Sequence, residues 1–211
     1  MEMSSKEPSL FYLRLDVEAP RLLALCHDAG IACDDLLEAP VKRQRERAAE
    51  RLLLREAFGQ PVTLTHTEQG APMVEDSDVN VSISHTRQLV VLACCSEHVI
   101  GVDAEQVDRH QVLKVRDKFL NDKEKQFIAP DDLAAHIIAW TAKEAVIKAE
   151  RNSAIDWTDG ICLEPFVLEP DEISLIARCG EHRYRLTTRL LEEHYITLAT
   201  PAIEQTAGVG Q

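Results

Sequence analysis

The chain has 211 residues, of which 45% are hydrophobic and only 5% aromatic, and its formal net charge is −13. A chain of this length buries about 70% of its unfolded surface, so it needs neither a metal nor a disulfide to form a core. The negative charge would repel a polyphosphate backbone, because nucleic acids are bound mainly through Lys and Arg. We therefore expect neither nucleic acid nor an anionic membrane as a partner.

The spacing of cysteines and histidines argues against a zinc site. No two cysteines have the two-residue gap of a zinc knuckle, and no two histidines have helical spacing, so the six cysteines are interpreted as small buried apolar residues.

The apolar runs at 89–95 and 137–140 are far too short to cross a bilayer. Residues 1–8 have no apolar signal-peptide core. We expect a cytoplasmic protein that functions as a monomer.

In the first half, periodicity predicts a strand at 11–17, a helix at 21–29 that Gly30 closes, and a strongly amphipathic helix at 41–58. The side chains predicted to face inward from this second helix are Ala48, Leu52, Leu53 and Phe58. After Gly59 the pattern becomes β-like. One small sheet is predicted from strands at 62–65, 79–84, 89–95 and 99–102.

The second half repeats this order of elements. A helical stretch is predicted at 110–119, a capping box at Asn121 and Glu124, and a long helix at 132–150. Alternating strands follow at 162–168, 173–179, 184–188 and 195–200, and residues 202–211 are expected to be a loose tail. The pattern predicts an α+β fold in which each half is a long helix packed on a small, mainly antiparallel sheet.

Two acidic residues close a strand-like run. Asp103 and Glu105 are two residues apart, so both side chains project from one face of an extended chain. Hard divalent cations such as Mg²⁺ bind oxygen ligands and commonly take only a few carboxylates. An isolated Asp-x-Glu is also consistent with a solvated strand end, and the motif alone leaves both interpretations open.

A second pair lies in the predicted helix at 132–150. Glu144 and Lys148 are four residues apart, which places a carboxylate and an ammonium on one helix face. The alternative is an ordinary exposed ion pair, worth only about 0.2–0.5 kcal/mol.

The Ser84-His85-Thr86 segment ends a predicted strand with a hydroxyl and an imidazole, which suits an anion. A hydrolytic Ser-His pair is a weak alternative, because neighbouring side chains of a strand point to opposite faces. Simple turn chemistry also explains the segment. The sequence has no Gly-rich phosphate loop, so any phosphate must be held by side chains and metal. The basic residues of the helix at 41–58 are available for this, although they also fit a solvated face.

Taken in order, these segments resemble the 4′-phosphopantetheinyl transferase superfamily, in its larger single-chain form. The matching segments are Gly-Ala-Pro at 70–72, Val-Ser-Ile-Ser-His-Thr at 81–86, Gly-Val-Asp-Ala-Glu at 101–105, 119–124, and Trp-Thr-Ala-Lys-Glu-Ala-Val-Ile-Lys at 140–148. The specific part is the Gly-Val-Asp-x-Glu and Trp-x-x-Lys-Glu-Ala pair. The chain departs from the usual pattern at Ala71, where Lys is common, and at Ala104, where a larger apolar residue is usual.

The resemblance implies roles for individual residues. It implies Asp103, Glu105 and Glu144 as magnesium ligands, with Glu144 and Lys148 as the catalytic residues. The remaining implied contacts are to coenzyme A: Lys143 and Lys148 to the pyrophosphate, Ser84 and His85 to the 3′-phosphate, and Arg43 and Arg51 to the nucleotide phosphates. Glu144 would accept the serine proton directly or through a metal-bound water.

The resemblance also implies an architecture and a reaction. Two similar halves, 1–105 and 106–201, would be related by a pseudo-two-fold axis, with the active site at their seam. The expected reaction moves phosphopantetheine from coenzyme A to a serine of an apo acyl or peptidyl carrier protein, as in holo-carrier synthases. Alternatives are a non-catalytic coenzyme A or carrier-binding module and another magnesium-dependent phosphoryl-transfer enzyme. Carriers of this class are usually acidic, so the local basic stretch is the expected dock: Lys114, Arg116, Lys118, Lys123 and Lys125.

Overall fold

The computed structural model describes residues 7–202, and it has an α+β fold, as predicted. The elements of the first half are β1 (Ser9–Arg14), α1 (Ala19–Asp28), α2 (Val41–Phe58), β2 (Leu64–His66), β3 (Pro72–Val74), β4 (Asn80–His85) and β5 (Leu89–Cys95). Those of the second half are β6 (Gly101–Gln106), α3 (Gln111–Lys114), α4 (Glu124–Phe127), α5 (Leu133–Glu150), β7 (Ile161–Leu163), β8 (Ile173–Cys179), β9 (His182–Leu191) and β10 (His194–Pro201).

The strands form two antiparallel sheets and one hairpin. The first sheet has the order β1-β5-β4, the second has the order β6-β10-β9-β8-β7, and β2 pairs with β3. The prediction that residues 62–65 and 99–102 belong to one sheet with 79–84 and 89–95 is therefore wrong, because the first segment pairs only in the hairpin. Strands that are close in sequence usually pair, but β6 pairs with β10 instead, with Asp103 opposite Thr197. Since β6 also spans the expected boundary at 105/106, the second sheet begins before that boundary.

The first sheet packs against α2, which has the predicted bounds. Its buried apolar side chains are Ala48, Ala49, Leu53, Leu54 and Ala57. The predicted inward residues Leu52 and Phe58 are only half-buried. The same face carries a buried carboxylate, Glu50, which hydrophobic periodicity alone does not predict.

The second sheet packs against α5, the long helix predicted at 132–150. Asp132 caps its first turn by accepting a hydrogen bond from the Ala135 backbone N–H at 2.9 Å. Gly101 of β6 allows this helix to come very close, because a Cβ at this position would meet Ala145 O and lie 2.7 Å from Ala149 N. The glycine of the Gly-Val-Asp-Ala-Glu motif therefore permits direct packing of α5 on β6.

A third apolar cluster joins the two sheets. It combines Leu89, Val91 and Ala93 of β5 with Val102 and Ala104 of β6. Because successive side chains of a strand alternate, burying Val102 and Ala104 here turns Asp103 and Glu105 toward α5. Each sheet thus has its own 18-residue helix, while the pseudo-two-fold relation between the halves stays a prediction.

The segment between β6 and α5 is less helical than predicted. The helix expected at 110–119 is reduced to α3 and a 3₁₀ turn at Arg116–Lys118, and the chain then turns to bury both Phe119 and Leu120. The capping box is confirmed. Asn121 N–H donates to Glu124 Oε2 and Glu124 N–H donates to Asn121 Oδ1, each at 2.9 Å.

Two further expectations concern the chain as a whole. Of the tail predicted at 202–211, only Ala202 lies within the described residues. Across residues 7–202, no helix combines the length and the apolar character that a membrane span requires.

Candidate functional site

The two sheets meet along β4 and β6, where serine hydroxyls take the place of backbone pairing. Ser82 Oγ accepts a hydrogen bond from Val102 N–H at 2.9 Å, and Ser84 Oγ accepts one from Ala104 N–H at 3.2 Å. Ser84 Oγ also donates to Asp103 Oδ1 at 2.7 Å. The alternation Val-Ser-Ile-Ser places both hydroxyls on this seam, and one of them holds the first acid of the site.

Asp103 is the centre of the candidate site and is only 6% exposed. Its Oδ1 accepts hydrogen bonds from Ser84 Oγ and, at 2.8 Å, from Lys148 Nζ. Its Oδ2 is buried, and no group in the described part of the chain bonds it. Because a buried polar atom without a partner is costly, this oxygen points to a ligand.

Glu144 and Lys148 extend toward Asp103 from adjacent turns of α5. Lys148 Nζ also donates to Val102 O at 2.9 Å, so two of its three N–H donors are used and one is left for a ligand. Burial, and then the charge of Asp103, raise the pKa of Glu144, while Lys148 and Arg109 partly offset this shift. Glu144 is therefore close enough to Asp103 for the two carboxylates to repel.

Glu105 is the third acid predicted from the sequence, and it forms an ion pair with Arg109. The Arg109 guanidinium lies over the Trp140 ring, 5.2 Å from its centroid. Trp140 itself packs edge-on against Phe119, with ring centroids 5.3 Å apart. An aromatic residue of α5 thus holds the cation that pairs with Glu105.

The acids have the chemistry that Mg²⁺ requires, although they are engaged with cations. Within residues 7–202, no three His, Cys, Asp or Glu side chains are grouped so that they would hold a metal ion as they stand. Asp103 is bonded to Lys148, and Glu105 is paired with Arg109. An oxygen-only donor set with a free buried Asp103 Oδ2 fits a hard divalent cation, provided that these side chains rearrange.

Lys143 lies elsewhere, although the family resemblance implied a pyrophosphate contact. Its side chain is completely buried, and Nζ donates to Glu124 Oε2 at 2.8 Å, Trp157 O at 2.7 Å and Ile161 O at 2.8 Å. Burial lowers the pKa of Lys143, and the charge of Glu124 opposes this shift. All three N–H donors are used, so Lys143 is not part of the site proposed below.

His85 connects the Ser-His segment to α2. Its Nε2 contacts Glu50 Oε1, and the other Glu50 oxygen accepts a hydrogen bond from Arg47 Nη1 at 2.7 Å. Burial disfavours the charged form of Glu50, but His85 and Arg47 outweigh it and lower the pKa of this carboxyl. Glu50 and Arg47 were missed from the sequence. The sequence did contain one indication of a role for Glu50, because it is a single acid on the otherwise apolar face of α2.

The exposed side of α2 borders a cleft of about 670 Å³ that includes Arg43, Arg47 and Arg51. Arg51 is already engaged, because its two terminal nitrogens donate to the two oxygens of Asp35 at 2.8 and 2.6 Å. Arg43 is exposed and forms none of the hydrogen bonds or ion pairs found in residues 7–202. Arg43 therefore offers more to an anion in this cleft than Arg51 does, while Arg47 makes one bond to Glu50 and Arg51 makes two to Asp35.

A further contact, between Thr86 and His194, fixes the Ser-His-Thr turn against the second sheet. Thr86 Oγ1 accepts hydrogen bonds from Gln88 N–H at 3.1 Å and Leu89 N–H at 3.0 Å. Its own proton is then directed to His194 Nε2, 2.9 Å away. His194 lies 108 residues further along the chain, so sequence spacing contains no signal for this contact.

Comparison with known proteins adds one match. Residues 99–199 match the family model described as the 4′-phosphopantetheinyl transferase superfamily. The matched segment contains Asp103, Glu105, Glu144 and Lys148, whereas Ser84 lies before it. No curated protein matches the chain.

Proposed function

We propose that the chain is a member of the 4′-phosphopantetheinyl transferase superfamily, whose family model matches residues 99–199, and that it transfers phosphopantetheine from coenzyme A to a serine hydroxyl of an apo carrier protein. The second product is 3′,5′-ADP. The observation that carries the proposal is the convergence of Asp103, Glu144 and Lys148 at the seam of two sheets, with a buried Asp103 oxygen that has no partner.

The divalent ion in this proposal is Mg²⁺, held by Asp103, Glu105 and Glu144. When bound, it would neutralise negative charge on the pyrophosphate as the bond from the β-phosphorus to the bridging oxygen breaks. The acids are suited to this task because they are oxygen donors that come from one strand and the helix packed on it. The free Oδ2 of Asp103 supports the assignment.

Lys148 and Glu144 would assist the bond changes. The serine oxygen attacks the β-phosphorus, and the bond from that phosphorus to the bridging oxygen breaks, with its electron pair leaving on 3′,5′-ADP. The remaining N–H of Lys148 would bind a phosphate oxygen of this leaving group. The serine proton would go to Glu144, directly or through a metal-bound water, because its carboxylate lies near Asp103 and Lys148.

The nucleotide end of coenzyme A is proposed to lie along the Ser-His segment and α2. His85 contacts Glu50 through Nε2, so its Nδ1 is not used in that contact. No residue within 7–202 hydrogen-bonds Nδ1, which leaves this nitrogen for a phosphate. The Ser84 hydroxyl donates to Asp103, so it would reach a phosphate only after releasing that acid. The arginines of the α2 cleft, Arg43 and Arg47, would add positive charge for the phosphates.

The carrier protein is proposed to dock on the segment between β6 and α5. Of its five basic residues, Lys125 pairs with Asp117 at 2.8 Å and Arg116 lies 3.8 Å from the same carboxylate. Lys114, Lys118 and Lys123 are exposed, and they present positive charge on an acidic protein. Charge reversal at Lys118 and Lys123 should raise the KM for an acidic carrier by about tenfold and leave the KM for coenzyme A unchanged. An unchanged carrier KM would exclude this dock.

The reaction is tested by incubating the protein with coenzyme A, Mg²⁺ and several apo-carrier domains, and then measuring the intact mass of each carrier. We expect a gain of one phosphopantetheine that EDTA abolishes. Coenzyme A binding without transfer to any carrier would instead indicate a binding module. Transfer from a different nucleotide would indicate another phosphoryl-transfer enzyme.

A further inference from the structure

Arg109 makes two contacts in the candidate site, and the proposed reaction gives this residue no role. It pairs with the Glu105 carboxylate, and its guanidinium lies over the Trp140 ring. It also partly offsets the raised pKa of Glu144, so its charge reaches a second acid. We infer that Arg109 is a positioning residue that competes with the divalent cation for Glu105 and holds this carboxylate in place until the cation binds. The inference rests on the proposed function.

The charges of the cluster give the physical reason. Asp103, Glu105 and Glu144 carry three negative charges, and Lys148 and Arg109 supply two positive ones. A divalent cation that takes the Glu105 oxygen facing Arg109 as its ligand must displace the guanidinium from that oxygen, and the two positive charges also repel each other. Arg109 therefore lowers the affinity of the cluster for divalent cations.

The surroundings of Arg109 favour such an exchange over a permanent ion pair. Its side chain is 35% exposed, whereas Glu105 is 17% exposed, so the cation stays partly hydrated when the acid leaves. The Trp140 face offers it a second favourable contact that does not depend on Glu105. Its backbone N–H is bonded to Gln106 O at 3.2 Å, which holds this residue in the turn that follows β6. Arg109 therefore has a defined position whether or not it is paired with Glu105.

Trp140 makes the exchange measurable. The chain has two tryptophans, so Trp157→Phe leaves Trp140 as the single indole. We expect Trp140 emission to change when Mg²⁺ is added in the absence of coenzyme A. The Kd from this emission titration should equal the Kd measured by calorimetry. Calorimetry is also done on the protein that keeps both tryptophans. This control shows whether Trp157→Phe itself changes Mg²⁺ binding by disturbing the fold.

The decisive variant is Arg109→Gln, which removes the competing charge. We expect the Kd for Mg²⁺ to fall by about two- to fivefold, which is the range for losing a partly exposed ion pair, and the Trp140 response to be lost. Arg109→Lys keeps the charge without the planar group, so its Kd should stay near that of the unchanged protein. Arg178→Gln is the matched control. It also removes one positive charge and a surface ion pair, with Glu164, and should leave the Kd for Mg²⁺ unchanged.

The possible results separate this inference from the proposed function. An unchanged or weaker Kd in Arg109→Gln, or a Trp140 emission that ignores Mg²⁺ while calorimetry shows binding, overturns the role of Arg109 alone. If the unchanged protein binds no Mg²⁺, the role of Arg109 falls together with the proposed magnesium site, and the carrier mass assay then decides whether transfer itself survives.

Discussion

The approach of α5 to β6 at Gly101 offers a direct test of how packing positions the candidate site. In Gly101→Ala the new Cβ would meet Ala145 O and lie 2.7 Å from Ala149 N, where ordinary contact begins at 3.4 Å. The obstacle is helix backbone, which cannot rotate away as a side chain can. The helix must therefore retreat from the strand by more than the roughly 0.7 Å that Ala149 N alone requires, because Ala145 O is closer still.

This retreat has a structural and a functional consequence. Overpacking of a core typically costs about 1–3 kcal/mol, which for a chain of this size lowers Tm by about 4–8 °C at the middle of that range. The same movement stretches the bond between Lys148 Nζ and Asp103 Oδ1 from 2.8 Å beyond about 3.5 Å, the limit for a hydrogen bond. Misplacement of this order should lower kcat by about 10- to 100-fold.

Thermal unfolding and the carrier mass assay measure the two effects. The control is the double variant Gly101→Ala, Ala145→Gly, which removes the Ala145 side chain but leaves its backbone oxygen in place. We expect no recovery in this variant, because the clash is with backbone. Recovery would show that the side chain was the obstacle. Unchanged Tm and kcat in Gly101→Ala would refute the packing argument altogether.

Three other predictions concern the acids and the two lysines of α5. Glu144→Gln should nearly abolish transfer while circular dichroism and Tm stay near those of the unchanged protein; substantial turnover at saturating Mg²⁺ would contradict the assignment. Lys143→Met should cost about 3–5 kcal/mol in denaturant unfolding, because it leaves the buried Glu124 without its counterion, whereas Lys148→Met should mainly lower kcat. The pKa of Glu50 is lowered from 4.5, so its stabilising effect is present above that pH and is lost as pH falls through the lower folded-state value. Glu50→Gln should therefore reduce the free energy of unfolding at neutral pH, and the difference from the unchanged protein should shrink in acid; a constant difference would refute the linkage.

Much of the secondary structure was determined by local pattern. The helix α2 has the predicted bounds, α5 differs from its prediction by one residue, and β5 and β8 begin and end as predicted. These elements are long or strongly periodic, so the hydrophobic pattern alone specifies them. The shortened helix at 110–119 shows the limit of the method, since burial of Phe119 and Leu120 overrides local helical propensity.

Some residues of the candidate site could also be predicted from periodicity. The spacing of Asp103 and Glu105 along a strand, and of Glu144 and Lys148 along a helix, determines that each pair shares a face. The same spacing separates Lys143, which is adjacent to Glu144, from Lys148, which shares its face. In the structure the first lysine is enclosed by three acceptors and the second keeps an N–H for a ligand.

The sequence alone determined the long helices and which acids lie on a common face, because those properties repeat every two or every 3.6 residues. Only the tertiary structure decided that β6 pairs with β10, that Glu50 meets His85, and that Arg109 holds Glu105. The pairing of β6 with β10 and the contact of Glu50 with His85 join residues far apart in the chain. The contact of Arg109 with Glu105 depends on the turn after β6 and on the Trp140 ring of α5. Their energies come from burial and charge in three dimensions, which no local period encodes.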